Sequence, residues 1–249
     1  MSQIPELMGG RRLQHDAESE KAWLRGRATR CQIFSDFIGG GSLPLAGAST
    51  GGFGLVTQDT SSSGAPTMAF QAEADGVFRM KFSSDSEAQA LTLYLGDGCC
   101  IPATANPTFE ARVKITGTFS ANDRLVIGLA SARNATLDNI ADHVWFRMEA
   151  ANNNILIEGD DNGTTDTDDT DTGTDWASGT YVTLKIDMAD LSAVKFYIDG
   201  VLVTTTINVG GMDSAALLQP FIEIQKDTDA EVHSIDIDWI DVRWDRGTN

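Results

Sequence analysis

Cysteine is scarce in this chain: three in 249 residues, at Cys31, Cys99 and Cys100. That number and spacing exclude a disulfide framework and fit no zinc motif. Cys99 and Cys100 are sequence neighbours, a pair whose disulfide ring is strained. The expectation is buried or half-buried thiols in a chain made in a reducing cytoplasm. Positive charge is scarce as well. Eighteen Lys and Arg stand against 36 Asp and Glu, a net charge of −18. Such a body is not built to bind DNA, RNA or an anionic membrane surface. Long apolar runs are missing too: none approaches a membrane span, and the first residues lack the apolar core of a secretory signal. The expectation is a soluble chain not exported by the general secretory route. Histidines number three, His15, His143 and His233, and none sits in a catalytic motif. His15 lies near the N-terminus, and a surface or strand-face position is expected for the other two. Gly39-Gly40-Gly41 does not follow a strand into a helix and no lysine ends it, so it reads as linker and not as a phosphate loop.

What is present falls into three zones. Residues 1–30 read as an arm, extended or partly helical: Asp16 is a plausible N-cap, with acids early and arginines late to match the helix dipole. Trp23 and Leu24 are its large apolar residues, too few to fold against themselves. The arm holds six basic residues (Arg11, Arg12, Lys21, Arg25, Arg27, Arg30) against four acids, leaving −20 on the remainder. A mildly basic arm on a strongly acidic body suggests two different surroundings. Arg11, Arg12, Trp23, Leu24, Arg25, Arg27 and Arg30 are therefore the candidate partner-binding residues. Residues 31–65 open with a strand-like run, Gln32–Ile38, and continue as a Gly-, Ser- and Pro-rich region expected to pack on the sandwich.

From residue 66 to 249 the period is two. Phe109–Ile115 and Tyr181–Asp187 alternate cleanly, as antiparallel strands with one solvated side do. Val194–Ile198 and Val201–Val203 flank Asp199-Gly200, a strong hairpin signal because a type I′ turn needs positive φ at both central positions. Ile235, Ile237 and Trp239 share one parity while Ile240, Val242 and Trp244 share the other. A bulge near Trp239 would keep both sets facing the core. Many short strands without a convincing long helix after residue 30 predict an all-β, two-sheet antiparallel sandwich.

Tyr197-Ile198-Asp199-Gly200-Val201, the strand Gly179–Ile186 before it, Phe109–Ile115, Leu218–Lys226 and Asp238–Val242 together resemble the concanavalin A-like (laminin-G-like) jelly rolls over roughly residues 105–245. The whole is similar to jelly-roll virion proteins of tailed bacteriophages, in which such a domain decorates or cements the head. That resemblance implies a non-enzymatic structural protein on the capsid surface, made in the host bacterial cytoplasm. Its expected partners are the phage major capsid protein or other virion proteins, and further copies of itself, with no direct nucleic acid, membrane or cofactor. Two alternatives come from the same fold: a carbohydrate-binding module or adhesin, with a glycan as partner, and an unusual glycoside hydrolase.

The hydrolase reading turns on carboxylates. A retaining glycosidase needs two of them about 5–5.5 Å apart, and in the β-glucanases of this superfamily they come as Glu-x-Asp-x-Glu, so that alternate side chains share one strand face. Asp236 and Asp238 occupy two such positions, but no glutamate flanks them at the required spacing. Aspartates on the solvent face of a half-buried strand are the expectation. Residues 159–175 carry seven aspartates, oxygen ligands of the kind calcium takes. The register and the twelfth-position glutamate of an EF-hand are absent, so a solvated acidic loop or edge hairpin is expected. Of the tryptophans, packing is expected for Trp145, Trp239 and Trp244, and exposure for Trp176.

Overall fold

The structure, a computed structural model, describes residues 30–38, 43, 45, 54–73, 76–149, 152–163, 165–213 and 215–246. Its strands, in chain order, are β1 (Arg30–Ser35), β2 (Val56–Asp59), β3 (Thr67–Gln71), β4 (Val77–Lys81), β5 (Gln89–Tyr94), β6 (Ile101–Pro102), β7 (Thr108–Thr116) and β8 (Arg124–Ala130). They continue as β9 (Asp142–Glu149), β10 (Asn154–Asp161), β11 (Asp166–Asp175), β12 (Tyr181–Asp187), β13 (Lys195–Ile198), β14 (Val201–Leu202), β15 (Leu217–Lys226) and β16 (Ser234–Asp245). The first sheet runs β14-β13-β12-β7-β16-β4-β3, with β1 also on β16; the second runs β11-β10-β9-β8-β15-β5-β2, with β6 also on β15. Every ladder between these strands is antiparallel. The protein is a two-sheet sandwich of the concanavalin A-like type.

Period-two alternation builds the core directly. Phe109, Ala111, Val113 and Ile115 of β7 point between the sheets, and all are buried. Leu125, Ile127 and Leu129 of β8 and Val144, Phe146 and Met148 of β9 meet them from the second sheet. Phe146 packs edge-on against Phe196 with ring centroids 5.2 Å apart, a contact that ties one sheet to the other. Burial at about 25 cal/mol per Å² of apolar surface is what holds the layers together.

Two local devices match the sequence reading. Asp199 and Gly200 take φ of 50° and 77°, the left-handed pair that closes the β13–β14 hairpin. In β16 the register against β7 slips between Ile237 and Trp239. The bulge falls at Asp238, so Ile235 and Ile237 before it and Ile240 and Val242 after it all reach the core. Trp239 is the exception. It stands beyond the bulge on the outward side and is half-buried, whereas Trp244 packs against the core.

Candidate functional site: two ion-paired sheet faces

On the outward face of the first sheet, Asp236 sits between Arg79 of β4 and Lys114 of β7, its direct cross-strand neighbours. Arg79 Nη2 donates to Asp236 Oδ2 at 2.7 Å, Arg79 Nε donates to Oδ1, and Lys114 Nζ lies 2.9 Å from Oδ2. Burial alone would raise this carboxyl, but the hydrogen bonds and charges of Arg79 and Lys114 outweigh it and hold Asp236 below the usual carboxylate range. Glu73 joins the network, 3.3 Å from Arg79 and 3.6 Å from Lys114. The Tyr181 ring lies beneath two cations, 4.1 Å from the Arg112 guanidinium carbon and 4.7 Å from Lys114 Nζ. Arg112 also pairs with Asp238 at the bulge.

Asp236 does point away from the core, as alternation demands, but its side chain is 0% exposed. The expected solvent-facing aspartate is thus corrected: two long cationic stems from adjacent strands fold over it. Asp238 is more open, at 13%.

The outward face of the second sheet is roofed by its own chain. The segment linking β8 to β9 crosses this face, with a 3-10 turn at Leu137–Asn139. Leu137 and Ile140 bury themselves in a second apolar cluster with Val56, Tyr94, Val126, Ala130, Trp145 and Phe221. Gly128 makes room for that cluster. It lies opposite Trp145, and a β-carbon there would stand 2.3 Å from Val144 O and 2.7 Å from Trp145 Cα.

Polar and charged side chains pin the roof at four places. Arg133 Nε reaches down to Glu223 at 2.8 Å and to Thr92 at 3.0 Å, and both acceptors are fully buried. Arg147 Nη1 donates to Asp138 at 2.7 Å and to Glu158 at 2.8 Å, while its Nε donates to Glu149 at 2.8 Å. Gln225 Nε2 donates to Ala135 O at 3.3 Å. The His143 ring, stacked on Trp145 at 3.7 Å, places Nδ1 3.0 Å from Ile140 O and Nε2 3.2 Å from Glu158 Oε1. Burial would raise the Glu158 carboxyl; His143 and Arg147 overcome this and hold it low. Burial works against the Arg147 cation too, and its ring of carboxylates drives its pKa upward regardless.

Asp142, Asp168 and Asp169 go the other way, and all three are raised first of all by burial. Asp169, on edge strand β11, is pushed up to about 6 by burial and by Glu149, Glu158 and Asp168, with Arg147 opposing. The acidic segment is therefore an edge hairpin, β10–β11, and not an open loop. Its Asp161 carboxylate accepts from the backbone of Thr165 and, at 2.7 Å, of Gly211.

At one end of the sandwich Asp123 and His233 form a buried pair, Nε2 to Oδ2 2.7 Å. Burial would raise Asp123; the His233 and Ser120 contacts hold it low. Both His143 and His233 are thus buried beside carboxylates, correcting the expectation of surface or strand-face histidines. Trp176 is corrected as well: it is 5% exposed and packs on Phe119 at 5.4 Å. Trp176 directly follows β11, where Phe119 offers an aromatic face. The cysteines are free and half-buried as expected, and burial pushes Cys99 up to about 11.

Of the candidate arm residues, Arg11, Arg12, Trp23, Leu24, Arg25 and Arg27 lie outside the described residues. Arg30 opens β1, pairs with Asp245 at 3.2 Å, and keeps a side chain 54% exposed. The charged residues that organise both faces, Arg79, Lys114, Arg133, Arg147, Glu158 and Glu223, went unnoticed in the sequence. Arg133 lies in a connection, and the strand parity of the other five is readable; their partners, up to 157 residues away, are not.

The search against curated proteins finds no match. Solved structures do match. A protein of unknown function, SO2946 from Shewanella oneidensis MR-1, is similar with a TM-score of 0.55 at 15% identity, covering 99% of this chain and 100% of that one. The carbohydrate recognition domain of Emp47p and an endo-1,3-beta-glucanase from Streptomyces sioyaensis each give a TM-score of 0.53 at 14% identity, covering 86% of this chain and 96% of theirs. At such identities the likeness is one of fold, shared by binding domains and enzymes alike. In sequence, residues 73–238 match the C-terminal domain of the SO2946-like proteins, and the chain belongs to that family.

Proposed function

We propose that this protein works by binding and not by catalysis, as a structural component that decorates or cements the head of a tailed-phage particle. The observation that carries the non-catalytic part of the reading is the roof. The outward face of the second sheet is filled by Leu137 and Ile140 and laced shut by Arg133, Arg147, Gln225 and His143. A substrate would have to displace a packed apolar cluster to reach Glu158 or Glu223. Asp169 is raised to about 6 on the edge strand β11, but Glu158, Glu223 and Asp236 are matched to cations, and Glu158 and Asp236 are held low. A general acid working near neutral pH needs the opposite, a raised pKa.

The charge split supports attachment through residues 1–30, with Arg11, Arg12, Trp23, Leu24, Arg25, Arg27 and Arg30 meeting a capsid protein, on the outside of a particle assembled in the bacterial cytoplasm. Mass spectrometry of purified particles carrying the gene is expected to find the chain in fixed ratio to the major capsid protein. Deleting residues 1–30 is expected to leave a folded sandwich that no longer co-purifies. Particles lacking the chain, or a truncated form that still attaches, would overturn the reading.

A second reading, carbohydrate binding, draws on the Emp47p likeness and on the half-buried Tyr181 and Tyr197, each beneath a cation on the open face of the first sheet. Retention on a glycan array that is lost in Tyr181→Ala would favour it. Release of reducing sugar from β-glucans would favour a hydrolase instead.

A further inference from the structure

Lys226 ends β15, yet its side chain turns inward and the residue is only 3% exposed. Its ammonium donates to three backbone carbonyl oxygens: Asp85 O at 2.7 Å, Ser83 O at 2.8 Å and Asp229 O at 3.0 Å. They come from two separate connections, β4 to β5 and β15 to β16. The Phe82 ring lies 5.8 Å from the same nitrogen. Nearby carboxylates are engaged elsewhere. Asp85 accepts from Ser83 Oγ at 2.8 Å, Asp227 from Asn122 at 3.0 Å, and Asp229 from Ser120 Oγ at 2.6 Å and the Glu231 amide at 2.9 Å. Three ammonium protons therefore meet three neutral carbonyls, which satisfies the group completely. Three acidic residues stand just outside and keep the local potential negative.

Converging oxygens in a negative surround are how proteins hold hard metal cations. We propose that this end of the sandwich is a cation site whose resident ion is the Lys226 ammonium, and that removing the side chain opens the site to a free metal ion. The nitrogen–oxygen distances of 2.7–3.0 Å exceed the ~2.3–2.6 Å that calcium takes, so the chemistry favours a larger monovalent cation such as potassium. The consequence for the native protein is that the two connections are locked together without any metal. This inference is independent of the attachment reading above.

The test is thermal melting of the full chain, as wild type, Lys226→Ala and Lys226→Met, in sodium chloride, in potassium chloride of equal ionic strength, and with millimolar calcium added. The wild type is expected to melt alike in all three. Lys226→Ala is expected to melt about 5–15 °C lower in sodium, because three carbonyls from two connections lose their shared donor, and to regain roughly half of that in potassium. Lys226→Met, whose stem still fills the space, is expected to stay low in every salt. Rescue of Lys226→Ala by either metal supports the site, and rescue by potassium alone sets its size. A Lys226→Ala protein as stable as wild type, or equally low in all three salts, overturns it. Should the variants fail to fold, nitrogen NMR of the wild type decides: a resolved Lys226 ammonium with slowly exchanging protons is expected, and a fast-exchanging signal like that of surface lysines refutes the cage.

Discussion

The two outward faces of this sandwich follow the same alternation and finish in different states. On the first sheet, Asp236 lies under Arg79 and Lys114, whose side chains remain 29% and 17% exposed, so water reaches the cations if not the anion. On the second sheet, Arg147 and Glu158 are 5% and 1% exposed, closed in by the segment between β8 and β9. Cover, and not polarity pattern, separates an ion pair that water can screen from one that must be satisfied internally. A buried charge that loses its partner is far costlier than a screened one. The roofed face therefore depends on every one of its bonds, while the open face can tolerate loss.

The largest effect is expected where cover is complete. Arg147→Ala leaves Glu158 buried without its cation and frees the roof's Asp138 from the sheet. Urea unfolding should show a loss of about 3–5 kcal/mol. A loss under about 1 kcal/mol would mean that the roof admits water and that the two faces do not differ.

Asp236→Asn should cost less, about 1–3 kcal/mol, because Arg79 and Lys114 can turn to solvent. That still exceeds the ~0.5 kcal/mol typical of a surface change. The pH dependence has a definite sign. A carboxyl held low in the folded state contributes stability that is fully present above its unfolded value near ~4 and is lost as pH falls through the folded value. Asp236, Glu158 and Asp123 all act this way. Removing Asp236 should flatten the acid limb of the stability curve, and an unchanged limb would show that this network contributes nothing.

The smallest effect belongs to the edge. Asp169 is raised to about 6, so its ionisation opposes folding above that pH, and the opposition fades as pH falls toward ~4. The side chain is 47% exposed, so solvent screening keeps the effect small. Asp169→Asn should stabilise by no more than about 0.5 kcal/mol at pH 8 and by nothing at pH 4. Stabilisation at acid pH in place of alkaline would reverse the assignment.

How much could be read beforehand depends on the range of the forces involved. The strands of β7 and β12 and the Asp199-Gly200 turn were legible because alternation and positive φ are properties of adjacent residues. The β16 bulge was legible from its parity change, though its position at Asp238, which leaves Trp239 outward, depended on the register with β7. The burial of Asp236, His143, His233 and Trp176 was illegible. Each is polar or amphipathic, and each is covered by residues from other strands and connections. Local composition gives such a residue a solvent-facing default, which only a distant partner reverses.

By itself, then, the sequence determined which residues could face inward, where the chain had to turn, and a net charge of −18. Strand periodicity, turn geometry and net charge are local or summed quantities, and no folding is needed to know them. Only the tertiary structure decided that one sheet face is roofed and the other open, that Arg79 and Lys114 close over Asp236, and that Lys226 fills a carbonyl cage. Those outcomes require segments far apart in sequence to meet, as Arg133 and Glu223 do across 90 residues. Only the packed sheets set which charge finds which partner, and which pair loses its water.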